Sequence, residues 1–550
     1  MDPIFLCIVV FLLLLAVFDL SVGVSNDAVN FMNSALGSRA ATFRRVMFVA
    51  SIGVFIGAAM SNGMMDIARH GIFQPEHFSF YDVICIFMAV MVTDIILLDI
   101  FNSRGLPTST TVSMVFELLG AAFVVSLLKI SANPALSLPM LLNTEKAVSV
   151  IIGIFLSVGI AFFFGTVVQF ITRLLFSFNF KSNLKWKAGI FGGLCSTAII
   201  YFLLLKGAKN LSIMTPDVKA YISDHTMLIL GCCMVFFTLL MQALHMLKVN
   251  VLKVIVLMGT FSLAMAFAGN DLVNFIGVPL SGLASFQDYT ANGAGDATGF
   301  MMTSLCGSAS TPPIFLIAAG VIMVVALATS RKARNVAKTE IDLSSHHPGG
   351  EKFRSSRPAR VIVRIAGYII SFMRRILPAS LRNAIARRFD NNGMHLPKGA
   401  SFDLVRATVN VVLAGTLIAA GTAMKLPLST TFVTFMVAMG TSLADKAWGH
   451  DTAEARVAGV LAVIGGWFVT AAAAFAGAGL IVVVMHFGGV WTMMATAVAV
   501  TIFIIHSNLR SAARRKASLS IPAPRIPRVS IPVLQLRTLI PATVRVRARR

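Results

Sequence analysis

Charge is scarce in this sequence, and acidic charge most of all: 13% of the 550 residues are charged, with 23 Asp and Glu against 46 Lys and Arg. Tyrosine is nearly absent, at five residues beside 42 Phe. A chain with so little polar material cannot cover the surface of a water-soluble domain. The six cysteines (Cys7, Cys85, Cys195, Cys232, Cys233, Cys306) fall in apolar runs with no Cys-x-x-Cys pair. That removes a disulfide framework and a cysteine metal site, and leaves small buried hydrophobes. There is no glycine-rich nucleotide loop and no nucleophile placed beside a base, so neither an enzyme nor a cofactor is expected.

What fills the chain is hydrocarbon: 57% of residues are hydrophobic and the mean hydropathy is +0.83, the composition of a polytopic membrane protein. Apolar runs fall near residues 3–22, 45–61, 81–101, 108–129, 146–176, 187–206, 225–247, 250–268 and 310–330, then 404–424, 430–445, 456–485 and 489–507. Several are too short, or too rich in Gly and Pro, to cross as one clean helix. The expected fold is therefore an all-α polytopic membrane protein with about 10–12 transmembrane helices together with re-entrant or broken ones. Met1–Leu20 lacks the basic start of a signal peptide and runs directly into a polar cluster, so it reads as a membrane helix.

The net charge of +23 is confined to two places. Residues 331–402 hold 15 basic and four acidic side chains, residues 507–550 hold 11 basic and none acidic, and the remainder is almost neutral. Basic segments flanking apolar ones point to cytoplasmic loops held by anionic lipid head groups of a cell (plasma or inner) membrane; neither segment carries a nucleic-acid motif. Between Ala359 and Phe389, Val361, Ile365, Ile369, Phe372, Ile376, Leu377, Leu381 and Ile385 alternate with Arg364, Arg374, Arg375, Arg382, Arg387 and Arg388, the pattern of an amphipathic helix lying on the leaflet. From Ser518 onward, five prolines in 33 residues predict irregular chain.

Two short patterns recur. Asn26, Asp27 and Asn30 form Asn-Asp-x-x-Asn at the end of the first apolar run, and Asn270, Asp271 and Asn274 repeat it after a later one. Pro107-Thr108-Ser109-Thr110-Thr111 is echoed by Pro427-Leu428-Ser429-Thr430-Thr431, each opening an apolar run. Asp27 to Ser109 is 82 positions; Asp271 to Ser429 is 158, or 86 once the 72-residue basic segment 331–402 is set aside. The chain therefore reads as two repeats, the second split by an insertion. The divisions are 1–206 (first repeat and connecting helices), 207–330 (start of the second), 331–402 (insertion), 403–507 (rest of the second) and 508–550 (basic tail).

Polar groups at membrane depth face a protein interior, a cavity or an ion. Pro followed by Ser or Thr marks a helix N-terminus, whose free N–H groups and positive dipole end attract anions. Ser109, Thr110, Thr111, Ser429, Thr430 and Thr431, with the four asparagines, are thus anion ligands. Asp27 and Asp271 would repel an oxyanion unless Na+ or a proton stood between, which makes coupled transport the chemistry of the set. Glu117, about 9 Å along the helix from Thr111, and Asp94 are accessory candidates for the ion path. Arg104 and Lys425 read as interfacial anchors, and His225, His245 and His486 as helix-end residues.

The paired Asn-Asp motifs together with the paired Pro-x-Ser-Thr-Thr motifs resemble the inorganic phosphate transporter (PiT) family over about residues 1–330 and 403–507. The resemblance implies two inverted-topology repeats, a phosphate site at their interface, cation sites at Asp27 and Asp271, symport with Na+ or H+, and a homodimer. The sequence departs from the family pattern at Val112 and Phe432, where a His commonly follows Ser-Thr-Thr, and at Ala472, where the pattern after Trp467 and Thr470 has Pro. Left open are a sulfate permease of the same fold, a passive anion channel and a non-transporting scaffold.

Overall fold

The computed structural model describes residues 3–61, 65–104, 108–178, 186–201, 216–293, 295–307, 311–329, 341, 344–345, 355–390, 396–397, 399–424, 428–448 and 453–520. Among these, every extended element is a helix, and pairing between strands is limited to the isolated bridges Phe73–Leu142 and Ser79–Met301. The helices are α1 (Pro3–Gly37), α2 (Phe43–Ala59), α3 (Asp66–His70), α4 (Phe80–Arg104), α5 (Thr110–Ala132), α6 (Leu138–Leu141), α7 (Thr144–Leu175), α8 (Lys187–Ile200), α9 (Pro216–Asp224), α10 (Thr226–Met246), α11 (Val251–Asn292), α12 (Pro313–Thr329), α13 (Arg357–Ile376), α14 (Ala379–Arg388), α15 (Leu404–Ala423), α16 (Thr430–Ala444) and α17 (Ala453–Ser520). Eight of them are long and apolar enough to cross a membrane, and α8, α12 and α16 are shorter apolar helices. The chain separates into two compact units, residues 1–497 and 498–550.

The two Asn-Asp motifs do not break their helices. α1 runs unbroken for 35 residues through Asn26–Asn30, and α11 for 42 residues through Asn270–Asn274 and across Pro279. Their polar side chains find partners on other helices, so the backbone has no reason to unwind. By contrast α17 is interrupted at Gly489, whose φ of +70° suits a residue without a Cβ, so the two apolar runs 456–485 and 489–507 are separate helical stretches meeting there.

α1 and α11 pack against each other at the centre; α2 lies along α11, α16 along α7, and α4 against α5. The α2–α11 contact depends on small residues. A Cβ on Gly57 would stand 2.3 Å from the Met265 carbonyl oxygen, and one on Gly53 2.4 Å from that of Phe261. Spaced by four, these glycines let two backbones approach as in small-xxx-small membrane contacts. Gly57→Val is expected to destabilise the protein by about 1–3 kcal/mol through overpacking, read as a lowered thermal midpoint in detergent; an unchanged midpoint would contradict this packing.

The basic insertion forms two helices rather than one. α13 ends at Ile376, and Pro378, which cannot continue it, precedes α14. Ala359 on α13 is buried against Val457 and Ala458, while Val361, Ile365, Tyr368, Phe372 and Ile376 stay exposed. Of the tail, residues 521–550 lie outside the described residues.

Candidate functional site

α5 and α16 begin where the Ser-Thr-Thr motifs predict. Ser109 and Ser429 are the N-caps: Ser109 Oγ accepts from Val112 N–H at 3.2 Å, and Ser429 Oγ from Phe432 N–H at 3.1 Å. Each serine thus acts on its own helix first, a role additional to the anion contact expected of it. Pro107 and Pro427 lie outside the described residues, as do Lys425 and the side chain of Arg104.

The four motifs converge on one buried cluster with matched bonds in the two halves. Asn26 Nδ2 donates to the Thr108 carbonyl at 2.9 Å, and Asn270 Nδ2 to the Leu428 carbonyl at 2.9 Å. Each asparagine also donates to the neighbouring carboxylate, Asn26 to Asp27 at 2.9 Å and Asn270 to Asp271 at 3.0 Å. Thr110 Oγ1 donates to Asp27 at 3.1 Å and Thr430 Oγ1 to Asp271 at 2.6 Å, each within its own half. The next threonines cross over: Thr111 Oγ1 donates to Asp271 at 2.8 Å and Thr431 Oγ1 to Asp27 at 3.3 Å. Asn30 Nδ2 then reaches Thr431 at 2.9 Å, and Asn274 Nδ2 reaches Thr111 at 3.0 Å. Asp27, Asp271 and all six hydroxyls of Ser109–Thr111 and Ser429–Thr431 are at most 2% exposed.

The electrostatics of this cluster are unbalanced. Two carboxylates interact with each other there, and no Lys or Arg is ion-paired to either among the described residues. The oxygens of Asn26 (Oδ1) and Asn274 (Oδ1) are buried with no hydrogen-bond donor. The two carboxylates are hard oxygen ligands suited to Na+, and the two unsatisfied amide oxygens can accept from a bound O–H group. Among the described residues, no three His, Cys, Asp or Glu side chains gather as a metal centre. At the same place the N-termini of α5 and α16 present the N–H groups of Thr110, Thr111, Thr430 and Thr431, which have no acceptor within the helix, while those of Val112 and Phe432 are taken by the serine caps. The arrangement can therefore hold cation and oxyanion side by side.

Asp94 and Glu117 are gathered with Asp19, farther along the α1 and α5 helices that carry Asp27 and Thr111, and Ser113 Oγ donates to Glu117 Oε1 at 2.7 Å. The sequence patterns do not single out Asp19; its signal is an acid inside an apolar run, eight positions before Asp27. Three more threonines support the site, of which Thr434 lies outside the sequence patterns. Thr108 Oγ1 and Thr470 Oγ1 share a hydrogen bond of 3.1 Å, and Thr434 Oγ1 donates to Asn30 at 3.3 Å. Trp467 stacks on Phe432 with centroids 3.7 Å apart, behind the first turn of α16. Of the histidines, His225 stands at the N-cap position of α10 with no side-chain bond into the helix, and His245 lies in its last turn, both at helix ends as expected. His486 likewise stands near the end of a helical stretch, just before the Gly489 break, and lies 3.9 Å from Asp82.

A solved structure titled the sodium-dependent phosphate transporter shares this fold with a TM-score of 0.62 and 14% identity, over 88% of this chain and 99% of that one. No curated protein matches the sequence. The profile of the phosphate transporter family matches residues 23–339, more than half of the chain and including both Asn-Asp motifs and the first Ser-Thr-Thr. This multi-pass membrane protein belongs to the phosphate transporter family.

Proposed function

We propose that the chain imports inorganic phosphate by symport with Na+ or H+, alternating access around the cluster shared by Asp27 and Asp271. The observation that carries this reading is the crossed pair of bonds, Thr111 to Asp271 and Thr431 to Asp27, which makes each half's helix terminus a partner of the other half's acid. A hydroxyl has one proton to give. While the carboxylates are bare, the threonine protons are committed to them, and an approaching oxyanion meets two negative charges. A cation on Asp27 and Asp271 removes the repulsion and frees Thr110, Thr111, Thr430 and Thr431 to turn toward phosphate, joined by Asn30, Asn274 and the first-turn N–H groups of α5 and α16. Asn26 and Asn270 stay fastened to backbone carbonyls and hold the motif in place. The structural neighbour, a sodium-dependent phosphate transporter, favours Na+ as the coupling ion. A homodimer, with α13 resting on anionic lipid, belongs to the same proposal.

Uptake of labelled phosphate into proteoliposomes under an imposed Na+ or pH gradient tests this reading. The expected result is concentrative uptake driven by the cation gradient and little inhibited by equimolar sulfate. The protonated oxygen of hydrogen phosphate is a donor that sulfate lacks, and the unsatisfied Asn26 and Asn274 oxygens are acceptors. Equal inhibition by sulfate would favour a general oxyanion permease, and uptake with no gradient dependence a passive channel.

A further inference from the structure

Three carboxyl groups meet inside the protein outside the phosphate cluster. Asp19 on α1, Asp94 on α4 and Glu117 on α5 are 0%, 2% and 0% exposed. Asp19 and Asp94 lie within hydrogen-bonding reach of each other. As carboxylates neither can donate, and both Asp19 oxygens, Asp94 Oδ1 and Glu117 Oε2 are left buried with no partner. Among the described residues, the charged groups that act on them are acidic: Asp27 on α1, and through it Asp271 on α11. Among the described residues, no Lys or Arg from the packed helices is paired with the three. Nor are they spaced as metal ligands among the described residues. Like charges that close in a low dielectric cannot all persist. One proton between Asp19 and Asp94 turns two opposed acceptors into a donor and an acceptor, and a second on Glu117 leaves Ser113 its bond.

We propose that Asp19, Asp94 and Glu117 form a proton-binding site, separate from the Asp27–Asp271 cluster, that takes up and releases H+ during the transport cycle. An O–H bond forms on a carboxyl oxygen as the proton arrives from water and breaks as it returns to water on the other side; no electrons move. This rests on the reading of Asp27 as a cation ligand. Eight residues, or about 12 Å of helix, separate Asp19 from Asp27. At that distance and an effective dielectric near 20, a cation at Asp27 alters proton affinity at Asp19 by about tenfold. The two sites thereby communicate along α1.

The test uses the full-length protein in proteoliposomes with a trapped pH-sensitive dye, labelled phosphate and a fixed Na+ gradient. Asp19→Asn mimics the protonated acid. It is expected to bind and accumulate phosphate while losing the excess of protons that wild type carries per phosphate, and with it the wild-type dependence of uptake on external pH. Glu117→Gln is expected to do the same, guarding against a folding defect peculiar to one variant. An unchanged proton count and pH profile in both variants overturns the proposal. So does a loss of Na+ dependence with protons unaffected, which would make this a sodium site. Loss of phosphate binding in both also overturns it, because the acids would then belong to the phosphate site. A wild type that takes up no phosphate refutes the transport reading itself, a distinguishable failure.

Discussion

Asp27→Asn is expected to lower coupled phosphate uptake by about a thousandfold. The substitution keeps the side chain's shape but removes its charge and turns one acceptor oxygen into an NH2 donor, so that of Thr110 and Thr431, which donate to different Asp27 oxygens, only one keeps its acceptor. A cation about 4 Å from a carboxylate at an effective dielectric near 20 is held by about 4 kcal/mol, which is about three orders of magnitude in affinity. Asp271→Asn has a comparable effect, since Thr430 and Thr111 bond Asp271 as Thr110 and Thr431 bond Asp27. The double variant is barely worse than either single one, because the two acids act as a unit. Initial rates of labelled phosphate uptake in proteoliposomes measure all three. In a passive channel the same substitutions would spare or raise the flux, and in a scaffold they would change nothing.

Arg173→Ala is expected to unfold the part of the helix bundle where α7, α15 and α16 meet, or to prevent its assembly. Arg173, 0% exposed, forks onto Asp403 with two bonds of 2.7 Å and onto Asp445 with bonds of 2.8 and 2.7 Å, and Gln169 donates to Asp445 at 2.7 Å. These contacts tie α7 to the start of α15 and the end of α16, while Asp403 also caps α15 by accepting from Arg406 N–H at 3.0 Å. Truncating the arginine leaves two buried carboxylates without their main counter-charge, a loss of about 3–5 kcal/mol. The thermal midpoint in detergent, or the yield of folded protein, should fall accordingly. Arg173→Lys recovers only part of it, since an ammonium cannot span two carboxylates in the plane of a guanidinium. A midpoint unchanged in Arg173→Ala would contradict this account of the bundle's cohesion.

The contrast between these two predictions shows what the sequence makes legible. Asp27 and Asp271 stand out because each is framed by asparagines and the frame occurs twice; Ser109 and Ser429 stand out because Pro followed by hydroxyls is a helix start. Repetition and local chemistry are visible in one dimension. The crossing of Thr111 to Asp271 and Thr431 to Asp27 is not, because it depends on how α5 and α16 meet α11 and α1. Arg173, Asp403 and Asp445 each look like an ordinary interfacial charge, and become a network only across separations of 230 and 272 residues. Asp19 is similar: one acid in an apolar run carries little signal until Asp94 and Glu117 arrive beside it from other helices. The continuous helices through Asn26–Asn30 and Asn270–Asn274 follow the same rule. Polar residues predict a break when read alone, and partners elsewhere make the break unnecessary. Pro378 was a visible helix stop inside a pattern whose amphipathic period ran past it.

The central claim is that cation and oxyanion occupy the Asp27–Asp271 cluster together, each making room for the other. Calorimetric titration of phosphate into the purified protein, with Na+ present and with Na+ replaced by choline, tests it most directly. The account predicts that Na+ tightens phosphate binding at least about tenfold, that phosphate tightens Na+ binding by the same factor, and that Asp271→Asn removes the effect. Phosphate binding equally tight in choline at any pH would contradict it.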